Sequence, residues 1–336
     1  MHQPSGAVPM LIATLLTATL QAPAPPDQFL RERLGFAGQQ LAEIAKGLVV
    51  TRVLAATNDE EIAIVGVVRL PVSADSAISR LWDTGRLARR RETMQFGRFG
   101  ATPMSADVAR FQLPDADRQP LRECRPGRCV LKLPATVIER VGVIDWRAPN
   151  ADSVATGILR NWIVEYVRGY VAVGNDALVV YGDAETPLAL HTGFHTLLAE
   201  SPYVFGDVPA FHHYLDEFPG RALPGVEDIL YWSSEDIGLR PLTTVTHASL
   251  YRPPPGGVAA LIARKQIYAS HYFHAALSLV TIVDDPRASG GPASYVIDVQ
   301  RFLFDRRLGG LVRRKAQGRL GDDLRSRLAT LARPAG

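Results

Sequence analysis

The chain has 336 residues, 47% of them hydrophobic, enough for one large domain or two ordinary ones with a substantial core. A formal charge of +3 is too small to point to a nucleic-acid partner, and the basic cluster Arg86, Arg89, Arg90 and Arg91 lacks the interleaved aromatics of a single-strand binder. That cluster reads first as a solvated helix end and second as a peripheral contact with an anionic membrane.

The apolar run Val8 to Leu20, followed by Gln21-Ala22-Pro23-Ala24-Pro25-Pro26, has the layout of a secretory h-region and cleavage zone, although its n-region has no Lys or Arg. It is shorter than the ~20 residues needed to cross a bilayer. Residues 1–24 are therefore expected to be a signal peptide, the protein to be periplasmic or secreted, and residues 25–336 to form one domain. Leucines and isoleucines at helical spacing predict a helix from Asp27 to Lys46. Two strand patterns follow, Leu48 to Leu54 and Ile62 to Leu70, joined by the hairpin signal Thr57-Asn58-Asp59-Glu60. Pro71 ends the second, and Ser73 or Asp75 can cap the helix carrying Ile78, Leu81 and Trp82. Met94 to Phe99 and Cys129 to Leu133 read as further strands.

Cys124 and Cys129, the only cysteines, enclose Arg125-Pro126-Gly127-Arg128. Pro then Gly suits the two central positions of a type II turn, which would bring the thiols together. In an oxidising compartment this predicts a structural disulfide stapling a tight turn; a redox pair or a zinc site is the weaker reading.

From Pro134 to about Phe218 the periodicity is helical, with one brief β-like run at Leu178 to Tyr181, so this block reads as an insertion between two β-rich parts. Strand character resumes at Ile229 to Trp232 and Leu242 to Tyr251. Two long runs then follow, Leu261 to Val283 and Tyr295 to Phe304, separated by the surface loop Asp284 to Ala293. The last helix places Leu320, Leu324, Leu328 and Leu331 on one stripe. The class is α+β.

A strand ending in VVRLP, a helix VSADSAISRLWD, a run of antiparallel strands and the closing helix LGGLVRRKAQGRLGDDLRSRLATLAR resemble, in that order, the START-like helix-grip superfamily. The resemblance covers roughly Ile62 to Phe99 and Gly225 to Arg333. It implies a curved antiparallel sheet wrapped around a long C-terminal helix with a ligand cavity between them. The helical block at 134–218 departs from the compact pattern of that superfamily. The stretches CRPGRCVLKLP and KQIYASHYFHAALSL also resemble a group of uncharacterised bacterial proteins, which implies no function.

On the run from Leu261 the odd positions form an apolar face broken by Lys265 and His271, and Arg301 breaks the apolar alternation of Tyr295, Ile297, Val299 and Leu303. A buried charge needs a partner, either an internal carboxylate such as Asp298 or Glu227, or the head group of an anionic ligand. The expected ligand site is Lys265, Ile267, His271, Phe273, Leu277 and Arg301. Tyr268, Tyr272 and His274 fall on the opposite, mixed face with Arg264, Gln266 and Ser270.

His191 and His195 stand four apart, but no third ligand accompanies them, so neither a metal nor another cofactor is expected. No nucleophile elbow, phosphate loop or dinucleotide fingerprint is present. The leading expectation is an exported protein that binds an apolar or amphiphilic small molecule, such as a lipid, in an internal cavity. The alternatives are a hydrolase or cyclase using His271 as general base, and a cell-envelope interaction module. Nothing in the sequence sets the oligomeric state.

Overall fold

The computed structural model describes residues 26–206 and 208–333, so the expected signal segment lies outside the described residues. The chain begins with helices α1 (Pro26–Glu32) and α2 (Gly38–Ala45), where one helix was expected. The break is at Gly35, whose φ of 69° lies in the left-handed region that glycine adopts without penalty. The hairpin β1 (Val50–Leu54) and β2 (Glu61–Leu70) follows as the pattern predicts. Ser73 then caps α3 (Ala74–Trp82), its Oγ accepting from the Ser76 amide at 3.3 Å.

Helix α4 (Thr84–Ala88), strand β3 (Thr93–Arg98) and helix α5 (Asp115–Arg122) lead into the helical block. That block comprises α6 (Ala135–Gly142), α7 (Ala151–Val173), the small hairpin β4 (Val180–Tyr181) and β5 (Leu188–Ala189), then α8 (Leu190–Ala199), α9 (Pro202–Phe205) and α10 (Pro209–Asp216). The expected strand at Cys129 to Leu133 is instead an irregular segment. The rest is β6 (Val226–Glu235), β7 (Leu242–Tyr251), β8 (Ala260–Ala269), β9 (Phe273–Asp284), β10 (Ser294–Phe304) and the terminal helix α11 (Gly310–Ala332).

Eight of these strands form one curved, unclosed antiparallel sheet in the order β1-β2-β10-β9-β8-β7-β6-β3. The run from Leu261 to Val283, read as one strand, is a hairpin. Tyr272 adopts φ 67°, a conformation costly for a residue with a Cβ, and the His271 carbonyl accepts from the Phe273 amide at 2.7 Å. From Ala275 onward the odd positions regain the face they held before the turn, because Lys265 pairs with Leu277 and Leu277 pairs with Arg301. Phe273, opposite Phe304 across an irregularity in the register, turns to the other side and leaves the face that simple alternation assigns it. A bulge between Val245 and Thr246 then turns Ile267 and Tyr268 to the same side, so Tyr268 leaves the face that simple alternation assigns it.

The two faces of the sheet are covered differently. The odd face, with Leu261, Ala263, Ile267, Leu279, Ile297 and Val299, packs under the helical block. Helix α7 buries Leu159, Trp162, Ile163, Tyr166, Val167 and Tyr170 there, at the three- and four-residue spacing of one helical face. The even face is apolar at the β2 end, where Ile62, Ile64, Val280, Ile282 and Val296 receive Ala77 and Ile78 of α3 and Leu324, Leu328 and Leu331 of α11. Only this C-terminal half of α11 is buried: Leu311 and Val312, at its other end, are 61% and 57% exposed.

Candidate functional site

Because α11 and α3 grip the even face at one end only, a cleft of about 1510 Å³ remains between the sheet, α11 and the segment from α3 to β3. Its floor is the even face of β7 to β10 together with β6. Along β10 the floor residues are Asp298, Gln300, Phe302 and Phe304, and beside them β9 offers Ala276 and Ser278, and β8 offers Arg264 and Gln266. The cleft therefore lies on the mixed face, not on the more apolar one. Apolar surface was better buried by covering it with helices, and the polar face was left lining the space.

The middle of the cleft is aromatic. Phe273 sits with its ring centroid 5.3 Å from that of Phe302 and 5.1 Å from that of Phe304, and Tyr272, Leu308, Ala316 and Leu320 join this part of the lining. Toward β6 and the second half of α11 a polar belt begins. Asp298, 7% exposed, accepts from Ser278 Oγ at 2.9 Å and from Gln300 Nε2 at 3.0 Å. Gln300 Oε1 in turn accepts from Arg327 at 2.8 Å, and Arg327 pairs with Asp323 at 2.8 Å. Arg90 reaches the same Asp323 at 2.8 Å and Glu235 at 3.8 Å. Arg86 and Arg89 approach Asp83 at 3.9 and 3.5 Å, so these three members of the basic cluster are paired.

The opposite end of the cleft is built by the cysteine loop. Cys124 and Cys129 form a disulfide around Gly127, whose φ is 78°. The Gly127 amide donates to Gly182 O, the Cys129 amide to Asp183 O and the Lys132 amide to Ser270 O, at 2.8, 2.8 and 2.9 Å. These bonds fasten the segment to β4 and to the turn before β9. They bring Lys132 beside Asp183 and Asp305, with its Nζ 4.4 Å from the centroid of Tyr181. Burial raises the Asp183 carboxyl above its ordinary range, and Lys132 acts against that rise.

Of the residues expected to form the ligand site, His271, Phe273 and Leu277 border the cleft, whereas Lys265, Ile267 and Arg301 lie beneath the helical block. The charged ones have protein partners, though not Asp298 or Glu227. Lys265 Nζ donates to Asn175 Oδ1 at 2.7 Å and to the Leu215 carbonyl at 3.0 Å, and burial lowers its pKa to about 7. Arg301 pairs with the fully buried Glu61 and donates to the Glu200 carbonyl and, at 3.1 Å, to Tyr203. His271 Nε2 lies 3.0 Å from Asp117 Oδ1 and its Nδ1 lies 3.2 Å from the Val130 carbonyl, so both ring nitrogens face acceptors. Of the opposite-face group, Arg264, Gln266 and Tyr272 line the cleft, and His274 donates to the Ala189 carbonyl at 2.8 Å.

Sequence reasoning did not single out Lys132, Asp183, Asp305, Ser278 or Gln300. A signal for the last two was present: Ser278, Asp298 and Gln300 place three hydrogen-bonding side chains on the even face of two otherwise apolar neighbouring strands. Lys132 had none, since its position depends on a loop folded onto the turn at Ser270, far away in the sequence.

A second polar cluster lies under α7 and α10. His247 Nδ1 bonds Tyr170 Oη at 2.8 Å, and its Nε2 lies 2.9 Å from Asp228 Oδ1 and 3.2 Å from Ser249 Oγ. Burial lowers the His247 pKa, against the pull of Asp228. None of these four residues lines the cleft. Among the described residues no group of three or more His, Cys, Asp or Glu is placed to hold a metal ion, and no described helix is long and apolar enough to cross a membrane. No family model and no curated protein matches the chain.

Proposed function

We propose that this is an exported binding protein that holds a small amphiphilic molecule in the cleft between the sheet and α11. The observation that carries the proposal is the shape of the lining: an aromatic middle of Phe273, Phe302 and Phe304 flanked at both ends by polar side chains. Sites for small ligands combine a mostly apolar wall with a few placed polar groups. At about 1510 Å³ the space exceeds the usual ~300 to 1,000 Å³ of ligand pockets, which favours a long or flexible ligand. Element order, with a curved sheet gripping a terminal helix, supports membership of the START-like superfamily, and the disulfide together with the signal-like leader supports export.

The geometry weighs against His271 as a general base. Both of its ring nitrogens face protein oxygens and the side chain is 3% exposed, so neither nitrogen points at a substrate. The test is native mass spectrometry of the protein purified without detergent. A bound species of discrete mass that is lost on denaturation is expected, with the same species displaced by a fluorescent amphiphile. A chain that carries no small molecule and takes up no amphiphilic probe sinks the reading.

A further inference from the structure

Among the described cleft residues with a buried polar atom that lacks a partner, Lys132, Gln266 and Arg327, only Lys132 leaves a whole charged group unmatched. It is 2% exposed, and its ammonium, which offers three donors, has no hydrogen-bond partner among the described residues. The nearest carboxylate oxygens stop short, Asp305 Oδ2 at 3.6 Å and Asp183 Oδ2 at 3.9 Å. A buried donor without a partner is expensive, and the cost is removed by whatever brings an acceptor to it.

The spacing says which acceptor fits. With Nζ and the Asp305 oxygen 3.6 Å apart, a single oxygen atom can sit at ~2.8 Å from both, the ordinary distance for such bonds. A hydroxyl group satisfies both neighbours at once, accepting from Lys132 and donating to the carboxylate. A ligand carboxylate cannot: it has nothing to donate, and it would meet two acidic side chains and one ammonium. The other charges near this end cancel in the same sense. His271 and Arg240 are committed to Asp117, and Arg306 and Glu185 are exposed at the rim. The aromatic cluster adjoins the spot directly, since Asp305 follows Phe304 and its amide donates to the Tyr272 carbonyl at 3.2 Å.

We infer that Lys132 and Asp305, with Asp183 behind them, form a hydroxyl-reading subsite, and that the cleft takes a neutral amphiphile whose hydroxyl sits between them and whose hydrocarbon lies on Phe273, Phe302 and Phe304. This rests on the reading of the cleft as a ligand site, and it replaces an anionic head group with an uncharged one.

The experiment compares decanol, decanoate and decyl methyl ether on the full chain at pH 8, by displacement of a fluorescent amphiphile. Decanol should bind about ten-fold more tightly than the ether and than decanoate. Lys132→Met should weaken decanol and the ether together, since both oxygens accept from the ammonium, while decanol keeps the part of its advantage that comes from donating to Asp305. Asp305→Asn, at a partly exposed position, should weaken decanol while strengthening decanoate, because it removes a negative charge beside the ammonium. Equal affinity of wild type for decanol and ether keeps the cleft and overturns the subsite. Tightest binding by decanoate in wild type, or no change on Asp305→Asn, overturns it as well. Failure of all three probes overturns the cleft itself.

Discussion

Lys265 shows how a residue that looks like a ligand contact in the sequence can be a structural one. Its two acceptors, Asn175 Oδ1 and the Leu215 carbonyl, match the two hydrogens of a neutral amine, and burial brings its pKa to about 7 from the ordinary 10.5. In the unfolded chain the lysine keeps its proton up to about pH 10. Between pH 7 and that value the unfolded state therefore binds more protons than the folded one, and stability rises with pH. The slope from this group approaches ~1.4 kcal/mol per pH unit. Chemical denaturation at pH 7, 8 and 9 should show it as a difference between wild type and Lys265→Met, which removes the titrating group and should flatten the dependence. A variant with the same pH slope as wild type would mean that Lys265 stays charged in the fold. The neighbouring Arg301 was legible as buried but not as paired, because Glu61 opens a different strand and nothing in local sequence ties position 61 to position 301.

At the scale of elements, the sequence was most informative where a period could be counted. The β1–β2 hairpin, the Ser73 cap, the helical block and the leucine stripe of α11 follow from local pattern, since each is set by residues a few positions apart. The hairpin at Ser270 to Tyr272 did not, because its turn has no Gly, Pro or Asn and relies on Tyr272 in the left-handed region. With the turn invisible, two strands read as one. The choice of cleft face was also hidden. The faces of β8 to β10 read as apolar and mixed, with Tyr268 and Phe273 each assigned to the wrong side because of irregularities in the register, and which face the helices would cover is decided by residues outside the strands themselves. Leu324, fully buried against β2, tests the anchored half of α11. Leu324→Ala should cost ~2 to 5 kcal/mol in urea unfolding. A loss below ~0.5 kcal/mol, the size of a surface effect, would show that the helix does not hold the sheet.

Taken as a whole, the molecule is a sheet between two unequal covers: a helical block that seals one face, and a single helix with α3 that closes only part of the other. Apolar burial gives the protein its stability on the first side, and incomplete burial gives it a cleft on the second. At one position on β2 the helix comes closest to the sheet. A Cβ built on Gly66 would lie 2.6 Å from Leu328 Cδ1 and 2.8 Å from Leu324 Cγ, so α11 rests on bare backbone there. Gly66→Ala should lift the helix or splay its leucines, at a cost of ~1 to 3 kcal/mol for an overpacked contact. It should also change amphiphile affinity, although residue 66 is absent from the cleft lining; unaltered binding and stability would show that the helix has slack. Gly66 works as a spacer of zero thickness: the approach of the helix to the sheet is limited there by the hydrogen atom that stands where any other residue would have a side chain.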